Sequence, residues 1–344
     1  MSGPSATAAT AGAATGSNTG TDPTPKIPTV TVDECFKNFQ KYIEHEKRGA
    51  DESKIALKVF YKDDKSLQDL APTAKTMIES LFALGCGKEI ALQLSVLILY
   101  DLVMLIDDSS SMETEQGGER IKTFKRTMAE ITSVYDLANP RGIRSVKFIN
   151  SKKGFMNIRR GHLKKNFGSL KYDGMTRIGS ALKERILTPH VWANPMTKPL
   201  LVMIITDGEP EGEPRGTLEM VIRDCVAAIE ADPTRGNAAV SFHFSRVGDD
   251  PAAIALLQNL DDSATVGDNV DCLTVKDSLE NLVDPGNRWT VLPKLLLGAI
   301  MSQWDELAGG IDKPEQAGED TQRVPEEDTE VDGGEEEAYE DDDW

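Results

Sequence analysis

The chain has 344 residues, enough for one ordinary domain with extensions or for two small domains. Its apolar fraction of 39% suits a globular body with polar flanks. Four scattered cysteines, Cys35, Cys86, Cys225 and Cys272, form no C-x-x-C pair, which argues against a zinc site or a disulfide framework and fits buried thiols in a reducing compartment.

The net charge of −19 is unevenly placed. Residues 312–344 hold 16 acidic and 2 basic side chains, a balance of −14, which leaves −5 for the other 311 residues. Such a run repels itself and also repels phosphate, so an extended acidic tail over 309–344 is expected and nucleic acid is not an expected partner. Residues 1–26 are mostly Ala, Gly, Ser, Thr and Pro with no basic-then-apolar leader, so 1–29 is expected to be disordered. The most apolar stretch, 90–106, is interrupted by Gln93, Ser95 and Asp101 and falls short of the roughly 20 apolar residues of a membrane helix. A soluble cytoplasmic protein is expected, with the nucleus left open.

In chain order, Cys35, Phe36, Phe39 and Ile43 mark an amphipathic helix over 32–48, stopped at Gly49. A second helix is expected from about Pro72 through Leu84. Gly85-Cys86-Gly87-Lys88 lacks the full phosphate-loop pattern and reads as the joint to a third helix over 88–97. These helices form an extension over 30–98. The continuous apolar run 102–106 then reads as a strand covered on both faces. Ile121, Phe124, Met128, Ile131 and Tyr135 return to the helical period, and Asn139-Pro140-Arg141-Gly142 breaks it before a strand at 146–149.

The alternation continues with a helix after Thr176, carrying Ile178, Leu182 and Ile186 and ending before Pro189. Strands at 200–205, 239–245 and 271–275 and helices at 218–229 and 252–260 follow. Strands alternating with helices predict an α/β fold over 99–285: a doubly wound, mainly parallel sheet with helices on both faces. A C-terminal helix over 286–308, bearing Leu292, Leu295, Leu296, Ile300 and Trp304, is expected to pack back on this body.

Three polar clusters fall where strands give way to loops, the edge at which open parallel sheets bind ligands. They are Asp107-Asp108-Ser109-Ser110-Ser111, Asp173-Gly174-Met175-Thr176 and Thr206-Asp207-Gly208. Carboxylates and hydroxyls without Cys or His suit a hard cation such as Mg²⁺ (or Mn²⁺). Two carboxylates with three hydroxyls give a weakly charged site that can accept one more carboxylate. Such residues are also ordinary helix caps and turn formers after a strand.

D-x-S-x-S directly after an apolar strand, with a later loop threonine and a strand-end aspartate, resembles the metal-ion-dependent adhesion site of von Willebrand factor A domains. The resemblance covers about residues 99–285 and fills five positions: Asp107, Ser109, Ser111, Thr176 and Asp207. The flanking helices resemble uncharacterised intracellular members known mainly from fungi. The resemblance implies a metal-binding module in which the two serines and the threonine coordinate directly and the aspartates directly or through water. It also implies that an acidic side chain of a protein partner fills the open position. Asp108 and Ser110 are expected to face solvent or to cap.

No nucleophile or general base is recognisable beside the site, so binding rather than catalysis is expected; a scaffold acting through its flanking helices is the alternative. His45, His162 and His190 have no catalytic setting, and His243, between Phe242 and Phe244, reads as a satisfied, partly buried histidine. Lys147, Lys152, Lys153, Arg159, Arg160, Lys164 and Lys165 form a solvated basic face that could dock acidic segments. A tail of about 30 residues spans roughly 30 Å, so the acidic tail could reach the metal in cis.

Overall fold

The computed structural model describes residues 29–45, 57–193, 196–232, 234–236 and 238–306. The stop at Gly49, the N-terminal segment and the acidic tail lie outside them. Six strands form one sheet: β1 Asp101–Ile106, β2 Ile143–Phe148, β3 Gly154–Ile158, β4 Leu200–Thr206, β5 Val240–Arg246 and β6 Val270–Cys272. Their order is β3-β2-β1-β4-β5-β6, and every pairing is parallel except β2 with β3. Among the described residues no helix is long and apolar enough to cross a membrane.

The continuous apolar runs are explained by the two cores. Leu102, Met104 and Ile106 of β1, with Leu201, Met203 and Ile205 of β4, face one core; Val103, Leu105, Leu200, Val202 and Ile204 face the other. Successive side chains alternate across a sheet, so a strand sandwiched between helices has no face on which a polar residue is free. The first core takes in the N-terminal helices, the helix Glu119–Ala138 and the C-terminal leucines, in one continuous cluster from Phe39 and Leu81 to Phe124 and Leu296. The second collects the helices that follow Thr176 and β4.

Several expected elements shift. The second helix begins at Asp64, not near Pro72, because Asp63 caps it by accepting from the Ser66 amide at 2.9 Å. Pro72 therefore lies inside the helix. The third helix tightens to Lys88–Leu94 and a 3₁₀ turn, Ser95–Leu99.

The helix after Thr176 does not stop before Pro189 but widens into a π-helical run, Leu182–Trp192. Bonds reaching five residues back, such as Ala193 N to Thr188 O at 2.8 Å, carry the chain past the proline, which has no amide to lose. The C-terminal helix is broken into Arg288–Leu297, a turn at Gly298–Ile300 and Ser302–Glu306.

Strand β3 was not expected; it pairs antiparallel to β2 within the basic stretch. In the helix Glu119–Ala138 the buried stripe starts at Arg120, whereas Ile121 is only half-buried. Cys35, Cys86 and Cys225 are buried free thiols, and Cys272 is half-buried.

Candidate metal centre

β1 delivers Asp107 to the carboxyl edge of the sheet. Its amide extends the ladder by donating to Ile205 O at 2.9 Å, so the side chain is held at the β1–β4 seam. Asp107 Oδ1 accepts from the Ser109 amide at 2.9 Å and Oδ2 from Thr206 Oγ1 at 2.6 Å. Ser111, at the start of a short helical turn, has its Oγ 3.0 Å from Ser109 Oγ and donates to Asp207 Oδ1 at 3.0 Å. Four of the five expected residues thus form one connected cluster, and Asp107 and Asp207 are both fully buried at 0% exposure.

Thr176 belongs to the same place by backbone rather than by side chain. Asp173 N donates to Asp108 O at 2.8 Å, and Ser110 Oγ to Gly174 O at 3.3 Å, binding the second loop to the first. Glu211 N donates to Thr176 O at 3.0 Å, binding it to the third. Gly174 has φ +105, and a Cβ there would lie 2.5 Å from Asn150 Oδ1, so only glycine lets the loop pass. The Thr176 side chain is buried, and among the described residues no hydrogen bond joins it to the other four.

Two residues that the sequence analysis did not single out, Arg120 and Glu213, complete the arrangement, together with Asp108 in another role. Arg120 is buried and its Nη1 donates to Asp207 Oδ2 at 2.6 Å, while Nη2 reaches Glu115 at 2.5 Å. The signal was present: Arg120 lies four residues before Phe124, on the apolar stripe, where a charge requires a partner. Glu213 accepts from the Gly179 and Ser180 amides, each at 2.8 Å, and caps the helix after Thr176. Asp108, expected to face solvent or to cap, is buried and accepts from the amides of Asn150 and Ser151 at 2.7 and 2.8 Å, so it ties the loop after β2 to the first loop; Ser110 is exposed.

Burial pushes the Asp107 carboxyl up to about 6; the Thr206 hydroxyl opposes the rise and nearby Asp207 adds to it. Burial also raises Asp207, against the opposing hydrogen bonds of Arg120 and Ser111. The Arg120 guanidinium is divided between Asp207 and Glu115, and among the described residues no cation is paired with Asp107. The donors are all oxygen, and their charge exceeds what Arg120 supplies; both properties fit a hard divalent cation. Among the described residues no group of three or more His, Cys, Asp or Glu side chains is placed to hold a metal, so a metal here would depend on the hydroxyls.

One other constellation has catalytic form. His243 bonds through Nδ1 to Asp271 and through Nε2 to Ser245 Oγ at 2.9 Å, the connectivity of a nucleophilic triad. His243 and Ser245 are both fully buried, His243 more deeply than expected, and Gly298 closes over Asp271. In this conformation a substrate carbonyl has no route to the hydroxyl, and the trio is read as a satisfied polar bridge between β5 and β6.

No protein-family model matches this chain, and no curated protein does.

Proposed function

We propose that the chain is a metal-dependent protein-binding module whose centre holds Mg²⁺ (or Mn²⁺) and captures an Asp or Glu side chain of a partner. The observation that carries this reading is the pair of buried carboxylates, Asp107 and Asp207, set among the hydroxyls of Ser109 and Ser111, with Arg120 paired to Asp207 and, among the described residues, no cation paired to Asp107. Asp107, Ser109, Ser111, Thr176 and Asp207 would hold the ion. When bound, it supplies a Lewis-acidic position for one external carboxylate oxygen. Asp107 and Asp207 would supply charge, the hydroxyls would fix orientation, and the loops around Gly174 and Glu211, joined through Thr176 O, would frame the open position. The likeness to von Willebrand factor A domains belongs to this proposal.

The test is titration calorimetry with MgCl₂ on the parent chain and on Asp207→Asn, followed by affinity capture with and without chelator. Saturable Mg²⁺ binding that the substitution removes, with capture lost on chelation, supports the reading. Capture that is indifferent to chelator overturns it and favours recruitment through the flanking helices. Because Asp107 must lose its proton to ligate, Mg²⁺ affinity should fall as pH drops below about 6.

A further inference from the structure

A second site lies away from the metal loops, at the β3 edge of the sheet. A cavity of about 560 Å³ opens between the β2–β3 hairpin and the wide helix Leu182–Trp192, lined by Arg144, Lys147, Lys152, Lys153, Arg185 and His190. Glu184 is the one carboxylate in its lining. Arg144 is paired with Asp101 at 2.8 Å, but among the described residues Lys147, Lys152, Lys153 and Arg185 have no carboxylate partner.

The cavity is built rather than incidental. The Arg185 guanidinium is fixed by the carbonyls of Phe148 at 2.6 Å, Asn150 at 3.2 Å and Ser151, so its charge is held at the wall without being neutralised. Lys147 lies across Gly154, where a Cβ would come within 2.6 Å of its Cδ. His190 is 7% exposed, and its Nε2 is buried without a hydrogen-bond partner. The cavity wall therefore carries, beside its cations, a ring nitrogen that has no partner among the described residues.

We propose that this cavity binds a compact, multiply phosphorylated ligand. Four unpaired cations around 560 Å³ call for several negative charges in a small volume. Each phosphate brings nearly two charges and three acceptor oxygens, which rigid Arg and mobile Lys donors accommodate together. An extended acidic peptide is the poorer match. Its carboxylates on one side recur only every two residues, about 7 Å apart, so only one or two could enter at once. Burial, then Arg144 and Lys147, hold His190 near 4, with Asp101 opposing; the ring is neutral at neutral pH and would meet a phosphate oxygen as an N–H donor.

Inorganic tripolyphosphate is the probe, titrated into the full chain at low and moderate salt, with the His190 ring resonances followed by NMR. Saturable binding that weakens with salt, moves the His190 signals and falls at least tenfold in Lys152→Glu/Lys153→Glu supports the site; both lysines are exposed, so folding is untouched. No saturable binding, or binding unchanged in the double variant, overturns it. So does an acidic peptide of residues 331–344 that moves the His190 signals while tripolyphosphate does not, which would make the occupant the chain's own tail.

Discussion

Arg120 holds two carboxylates of unlike standing, Asp207 in the interior and Glu115 half in solvent. Replacing it with methionine leaves Asp207 buried with no cation, a loss of about 3–5 kcal/mol for a broken buried pair. If the centre binds Mg²⁺, saturating metal should restore a large share of that stability in Arg120→Met and less in the parent, read by urea denaturation with and without MgCl₂. His190 gives a pH prediction of opposite origin. An unfolded histidine takes its proton near 6.5, whereas here the ring stays neutral down to about 4. Its contribution is therefore complete above pH 6.5 and is lost as pH falls toward 4, by up to roughly 3 kcal/mol. His190→Phe should flatten the difference in unfolding free energy between pH 7 and pH 4.5 relative to the parent chain.

At the scale of elements, the site depends on how the helix after Thr176 is started. Its first amides are taken by Glu213, which comes from the loop after β4, so one carboxylate fixes the second loop to the third. Glu213→Ala removes three hydrogen bonds, about 1–3 kcal/mol together, and should weaken Mg²⁺ binding roughly tenfold without touching a proposed ligand. The two central strands were legible because burial on both faces leaves an unbroken apolar run, as in 102–106 and 200–205, whereas β3, half-exposed at the rim, leaves none. The Asp107, Ser111 and Asp207 cluster was legible because Asp107 and Asp207 directly follow strands and Ser111 lies in the loop that Asp107 opens. Glu213 and Arg120 were not assigned, since their partners are distant in sequence and only the folded loops bring them together. Pro72 and Pro189 misled for a common reason: a proline is read as a boundary, yet a cap nine residues upstream or a widened turn lets a helix run through it.

Across the whole molecule, the extension at 30–98 and the sheet are not separable bodies. Leu81, Leu97, Phe124 and Leu296 share one core, so removing the extension would bare a face of the sheet. Leu97→Ala should cost about 2–5 kcal/mol, and unfolding followed by tryptophan fluorescence and by far-ultraviolet circular dichroism should remain a single coincident transition. Two separate transitions would show that the helices fold apart from the sheet. A role for the flanking helices is for the same reason better tested with surface substitutions than with deletion.

The β3 edge has a consequence of another kind. A sheet with two free rims can in principle grow by recruiting strands from other molecules, the route to fibres and precipitation. Here one rim is a three-residue strand, Val270–Cys272, and the other is a five-residue antiparallel strand preceded by Lys152 and Lys153 and interrupted by Asn157 at φ 54. Neither offers a long, flat, uncharged template. The lysines that make the cavity cationic therefore also guard that rim, so neutralising them should be judged on aggregation as well as on ligand affinity.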